Sequence, residues 1–128
     1  MSRGLADTSV FIARESGRPL RLDRFPDEIA ISVITIGELR AGVLAAADVE
    51  VRDRRLATLT QALGLEPLAI DGAVAEAWAR LRVVLRDSGQ RMPVNDSWIA
   101  ATAMALGVSV LTQDDDYVDV AGLETIAV

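Results

Sequence analysis

Strand-like and helical patterns alternate along this chain with short connections, which predicts an α/β fold with a mainly parallel central sheet of four to five strands flanked by helices. Three observations carry that prediction. Short aliphatic or β-branched runs recur at 29–33, 68–70 and 108–112. Apolar residues between those runs repeat at helical spacing. No linker, low-complexity tract or internal repeat interrupts residues 1–128, so the chain reads as one domain.

The first strand enters through Leu5-Ala6-Asp7, and Thr8-Ser9-Val10-Phe11-Ile12 turns the chain into a helix. Ile29-Ala30-Ile31-Ser32-Val33, bounded by Pro26-Asp27, is a second strand. From Thr35 the period becomes helical, with Ile36, Leu39 and Val43 on one face. Leu56, Leu59 and Leu63 mark a further helix that stops at Gly64. Leu68-Ala69-Ile70 reads as a short third strand. Asp71 is placed to cap a long helix carrying Val74, Trp78, Leu81 and Leu85 and ending before Gly89. Met92-Pro93-Val94-Asn95 reads as a loop, and Asp96 as the opening of an Ala-rich helix through Ile99, Ala103 and Leu106 to Gly107. Val108-Ser109-Val110-Leu111-Thr112 is a fourth strand, Asp114-Asp115-Asp116 an acidic turn, and Thr125-Ile126-Ala127 a last short strand.

Composition narrows the chemistry. A hydrophobic fraction of 51% with only 4% aromatic residues implies a packed, mostly aliphatic core. No apolar run reaches the roughly 18 residues that span a bilayer, and the amino terminus lacks a signal-peptide apolar segment. The reading is a cytoplasmic protein with no membrane partner. Cys and His are absent, and all 13 basic residues are Arg. Thiolate and imidazole catalysis, ordinary zinc sites, a P-loop lysine and Schiff-base chemistry are thereby excluded. What remains is carboxylates, hydroxyls, Arg and a bound cation. The net charge of -6 runs against simple electrostatic capture of nucleic acid. Acids gathered in one pocket and Arg placed elsewhere would reconcile the two, and the acidity also suits a basic protein partner.

In open α/β sheets the functional crevice lies beyond the carboxyl ends of the strands. Asp7 ends the first strand and Asp114 follows Thr112 at the end of the fourth. Asp96 opens a helix, where free N–H groups and the dipole favour an anion. Glu38 lies on a flank distinct from the Ile36, Leu39 and Val43 stripe, with Gly42 one turn further on. Singly, each acid has a local role to play as a cap, a turn residue or a solvated helix residue. Converging, they would repel one another without a compensating cation. Their hard oxygens suit Mg²⁺ or Mn²⁺, and such a site predicts a phosphate-bearing substrate attacked by metal-activated water.

These residues fall in segments that resemble the PIN-domain family, and within it the toxin member of bacterial VapBC toxin–antitoxin pairs. The segments are Leu5-Ala6-Asp7-Thr8-Ser9-Val10-Phe11-Ile12, Thr35-Ile36-Gly37-Glu38-Leu39-Arg40-Ala41-Gly42, Asn95-Asp96-Ser97-Trp98-Ile99-Ala100-Ala101-Thr102-Ala103 and Leu111-Thr112-Gln113-Asp114-Asp115-Asp116-Tyr117. Their ordered set is specific and spans nearly the whole chain. The resemblance implies a parallel sheet flanked by helices and Mg²⁺- or Mn²⁺-dependent endonucleolytic cleavage of RNA. It makes Asp7 and Asp96 the principal metal-binding acids, Glu38 a third and Asp114 a fourth, with Asp116 a further ligand and Asp115 its rival. Thr112 and Ser9 would orient carboxylates, and Asn95 would either do likewise or form a turn. A VapB-type antitoxin that blocks the site with a basic side chain is implied, as is a homodimer, for which the helices of Trp78 or of Leu56 to Leu63 offer apolar surface. Separately from the resemblance, Arg80, Arg82, Arg86 and Arg91 form a basic group near the approach to Asp96, either guiding RNA or standing as solvated helix charges.

Rival readings remain in view. An aspartate-phosphorylated receiver or phosphatase needs a Lys that this chain lacks. A flap-type DNA nuclease shares the acidic crevice but needs further elements to grip a duplex. A non-catalytic PIN-like binding module would have lost one of the core acids, and none is missing.

Overall fold

A computed structural model describes residues 2–128. It begins with strand β1 (Arg3–Ala6) and helix α1 (Thr8–Ser16), followed by a 3₁₀ turn (Leu22–Arg24), strand β2 (Glu28–Ala30) and helices α2 (Val33–Ala45) and α3 (Val49–Leu63). Helices α4 (Gly72–Ser88) and α5 (Val94–Leu106) and strands β3 (Ser109–Thr112) and β4 (Thr125–Ala127) complete it. All three strand pairings are parallel, in the order β2-β1-β3-β4. From β1 the chain moves outward to β2, then crosses back to place β3 on the other side of β1. The gap between the carboxyl ends of β1 and β3 is therefore the topological switch point, where such sheets bind ligands. Among the described residues no helix is long and apolar enough to cross a membrane.

Local chemistry sets most helix ends. Asp7, Ser32, Asp48 and Asp71 each turn a side-chain oxygen onto a backbone N–H in the first turn of α1, α2, α3 and α4. Gly17, Gly89 and Gly107 end α1, α4 and α5 in the left-handed region, where a Cβ would be strained.

Strand alternation sorts the core into two faces. Leu5 and Val110 pack with Leu81, Leu85, Ile99, Ala100 and Ala103 of α4 and α5. Their neighbours Ala6 and Leu111 pack with Val10 of α1 and with Val128 on the opposite face. A separate cluster of Ile31, Leu39, Val43, Leu59 and Ala62 joins α2 to α3. The rings of Trp78 and Trp98 stack within the chain, centroids 4.2 Å apart and 2° from parallel, tying α4 to α5. Trp78 is thus committed to internal packing, whereas Leu56 and Leu63 of α3 stay exposed.

Three elements differ from the sequence reading. The run 68–70 makes only a single parallel bridge between Leu68 and Ser32, so the sheet has four strands. Pro67 lacks an N–H to donate and Asp71 already caps α4, leaving no length for a strand. Strand β2 stops at Ala30 because Ser32 leaves the strand to cap Ile34 N at 3.0 Å, and the helix begins at Val33. Helix α5 starts at Val94, with Pro93 in the N-cap position. Val94 and Asn95 therefore belong to the helix, Asp96 is its third residue, and the turn role for Asn95 is not realised.

Candidate active site

The carboxyl end of β1 delivers Asp7 into the switch point, buried to 1% exposure. Its backbone N–H still belongs to the sheet, donating to Leu111 O at 3.0 Å. Its side chain is held from both sides. Oδ1 accepts from Ser9 N at 2.9 Å and from the Ser9 hydroxyl, and Oδ2 accepts from Thr112 Oγ1 at 2.6 Å. These hydroxyls also reach onward. Ser9 Oγ accepts from Gln113 N and Thr112 Oγ1 accepts from Asp114 N, each at 2.9 Å. The loop after β3 is thus docked onto Asp7 through two hydroxyls, which carries the backbone of Asp114 to the site. Gln113 anchors the same loop from outside, its Nε2 donating to Pro19 O and Val128 O.

Glu38 reaches the site from α2. Thr8 Oγ1 gives its proton to Glu38 Oε1 at 2.6 Å and lies 3.0 Å from Thr35 Oγ1, and both threonines are buried. Asp96 arrives on the first turn of α5, where unsatisfied backbone N–H groups favour negative charge. Glu38, Asp96, Asp114 and Asp116 line one open groove of about 390 Å³ together with Pro93, Val94 and Asn95. One carboxylate oxygen from each of Asp96, Asp114 and Asp116 falls within 4.8 Å of the others. Asp115 shares neither arrangement. Of the five predicted acids, Glu38, Asp96, Asp114 and Asp116 line this groove; Asp7 is not part of its lining, and its charge reaches Asp96 and Asp114. Ser9 and Thr112 hydrogen-bond to Asp7, and Asn95 lines the groove.

The electrostatics follow from this crowding. Burial, followed by the negative charges of Asp7, Asp116, Asp114 and Glu38, raises Asp96 to about 7. Asp7 is also raised by burial, against the lowering pull of its bonds from Ser9 and Thr112. Asp114 is raised by burial and then by Asp7 and Asp116, while Arg18 pulls the other way.

Sequence reasoning missed four contributors. Thr8 and Thr35 orient Glu38, and the one available signal was that Thr35 precedes Glu38 by a single helical turn. Arg18 is the cation felt by Asp114, but its approach depends on a tertiary fold-back. The hydroxyl of Tyr117 is buried, and burial together with the charges of Asp7 and Asp96 suppresses its ionisation. A larger groove, about 680 Å³, lies elsewhere, lined by Val10, Phe11, Leu20, Leu22 and Phe25 with Arg14 and Arg18 among its other residues. It carries no carboxylate.

Residues 5–123 match the PIN domain. The chain is 48% identical over 125 residues to Ribonuclease VapC5 of Mycobacterium tuberculosis, covering 98% of this chain and 93% of that protein. It is 53% identical over 127 residues to Ribonuclease VapC4 of the same organism, covering 98% and 97%. Among solved structures it superimposes with a TM-score of 0.91 and 45% identity, over 100% of both chains, on a member of the VapBC family of toxin–antitoxin systems, VapBC-5 from M. tuberculosis.

Proposed function

The chain belongs to the PIN-domain family, and on that premise we propose that it is the ribonuclease toxin of a VapBC-type pair, hydrolysing RNA with Mg²⁺ or Mn²⁺ and neutralised by a VapB-type antitoxin. The names of its relatives support the activity and the partner. The observation that carries the metal-dependent reading is the gathering of Glu38, Asp96, Asp114 and Asp116 in one groove, with the charge of buried Asp7 felt by Asp96.

Such a groove repels an RNA backbone by itself, and no basic side chain lines it. Carboxylate oxygens this close fit a hard divalent cation, which tolerates several acids and retains sites for water and phosphate. When bound, that ion supplies charge neutralisation at the phosphodiester and lowers the pKa of an attacking water. The chain's residues do the positioning. Asp7 Oδ2 has one lone pair committed to Thr112 and one left for the cation. Asp96 faces Asp7 electrostatically across the same site, and these two are the principal ligands. Glu38, fixed through Oε1 by Thr8, offers Oε2 to the ion or its water. Asp114 completes the set, and the arrangement favours Asp116 over Asp115 as the further ligand. The acidic groove also suits a basic side chain of the antitoxin as a plug. Exposed Leu56 and Leu63 on α3 are the surface we assign to a homodimer contact.

The test is digestion of RNA and DNA oligonucleotides side by side, with Mg²⁺ or Mn²⁺, with EDTA, and with Asp96→Asn. RNA cleavage should stop in EDTA and fall about 10³-fold or more in the variant. Survival in both conditions would overturn the metal mechanism. Equal cutting of DNA would favour a flap-type nuclease, and no cleavage with metal present would favour a binding module.

A further inference from the structure

Apart from the acidic groove, a concentration of positive charge follows the carboxyl end of α4. Arg82, Arg86 and Arg91 line a surface groove of about 330 Å³ together with Leu85, Gln90 and Met92. Arg80, expected in the same group, lies outside it and is paired with Glu76 at 3.0 Å. Resting on the ribonuclease reading above, we propose that this groove is a phosphodiester subsite that holds the RNA backbone flanking the scissile bond.

Position is the first argument. Arg91 and Met92 line the basic groove, while Pro93, Val94, Asn95 and Asp96 line the acidic one, so the two adjoin along a continuous stretch of chain. With about 3.8 Å per extended residue and about 1.5 Å per helical one, the Cα of Arg91 lies within about 14 Å of that of Asp96. A single strand crossing the acids therefore reaches the arginines within a short span.

Preorganisation is the second. The Arg82 guanidinium carbon lies 5.2 Å from the centroid of the Trp78 ring, which is itself stacked on Trp98. Trp78 Nε1 donates to Ser97 Oγ at 3.0 Å, and Ser97 is the neighbour of Asp96 in α5. Arg82 is thus tied to the helix turn that bears Asp96. A guanidinium stacked on its face keeps its edge N–H groups free for the bidentate geometry that phosphate takes. Asp87 engages Arg86 through Nε alone, in an exposed pair that leaves its other donors available.

Charge is the third. The acids repel RNA, and the protein as a whole carries a net charge of -6, so binding energy must come from a local basic site. This groove lies beside the reacting centre without entering it.

The experiment is fluorescence anisotropy of a labelled single-stranded RNA of about 20 nucleotides with the full chain in EDTA, across a NaCl series. The variant is Arg86→Ala/Arg91→Ala, two exposed positions, with a thermal melt to confirm the fold. Losing two phosphate contacts should lower the slope of log K against log salt by about 1.4 and weaken binding about tenfold at low salt. With Mg²⁺ restored, KM for cleavage should rise about tenfold with kcat little changed. Arg3→Ala, at the amino end of β1 and away from the site, should leave the slope as in wild type. A wild-type slope and KM in the double variant overturn the subsite while the ribonuclease reading stands. Weakened antitoxin binding with unchanged RNA binding also overturns it and assigns the groove to the antitoxin. A wild-type chain that neither binds nor cleaves RNA overturns both.

Discussion

Leu5 and Asp7 lie two residues apart at the centre of the sheet and are equally closed to water, at 0% and 1% exposure. Leu5 belongs to the apolar cluster that includes residues of α4, α5 and β3, and burying such a side chain stabilises the fold by about 1.5–3 kcal/mol. Asp7 accepts hydrogen bonds from hydroxyls and its charge is felt by Asp96 and Asp114, and burying a carboxylate is unfavourable unless it is paired and hydrogen-bonded. Thr8, Ser32, Thr35 and Thr112 are buried near the same strand ends. The fold therefore draws stability from the aliphatic layers and concentrates its unfavourable electrostatics at the carboxyl ends of the strands. That separation lets a cation restore at the site what the acids cost, without disturbing the layers beneath.

A core truncation tests the separation most severely. Ile99 is fully buried on α5, one turn from Asp96. Ile99→Ala should lower unfolding free energy by about 3–4 kcal/mol, read from urea titration. Turnover per folded molecule should stay close to wild type. A collapse of turnover in protein that remains folded would show that the core shapes the site more directly than the comparison allows.

Thr112→Val probes the boundary between the regions. Thr112 is 3% exposed and belongs to β3, yet its hydroxyl donates to Asp7 at 2.6 Å and accepts from Asp114 N at 2.9 Å. The substitution keeps the shape and removes both bonds. Losing a group that orients a metal ligand should weaken Mn²⁺ binding by about 10–100-fold in calorimetry, and leaving the Asp7 oxygen undersatisfied should cost about 1–3 kcal/mol of metal-free stability. Unchanged affinity would mean that Asp7 needs no orientation from β3.

The two regions were also unequally legible in the sequence. Layers and helices follow from local patterns, so the caps at Asp71 and the stops at Gly89 and Gly107 were readable directly. Asp7 and Asp114 were readable as candidate site residues because each follows a strand. What failed was competition between local signals: Asp96 has the residue type of an N-cap, but Pro93 occupies that position, three residues earlier. Ser32 likewise ends β2 sooner than its apolar neighbours imply. The hydroxyl partners of Glu38 were not legible, because Thr8 meets α2 only after the chain has folded back across 30 residues. The basic group split for a similar reason: Arg80 finds Glu76 one turn away, while Arg82 turns onto Trp78.

The smallest expected effect concerns proton linkage at the acidic end. Burial, then Asp7, Asp116, Asp114 and Glu38, raise Asp96 from 3.8 to about 7, and Asp7 and Asp114 are raised as well. Between about pH 4 and 7 the metal-free folded state therefore holds protons that the unfolded chain has released. Stability rises with pH only where the unfolded state binds more protons, so here it falls as pH rises through that window. The protonated acids leave the fold unpenalised below about pH 4, and the full penalty is present above about pH 7. The melting temperature of the protein in EDTA should thus drop by a few degrees between pH 6 and pH 8, a modest change because Asp96 remains partly open to solvent. Asp96→Asn should flatten that drop. If the ionised acids hold Mg²⁺ as proposed, the ion should raise the melting temperature more at pH 8 than at pH 6. A metal-free melting temperature that climbs over the same interval would mean that the acids are already compensated within the chain, and the contrast between Leu5 and Asp7 would lose its energetic basis.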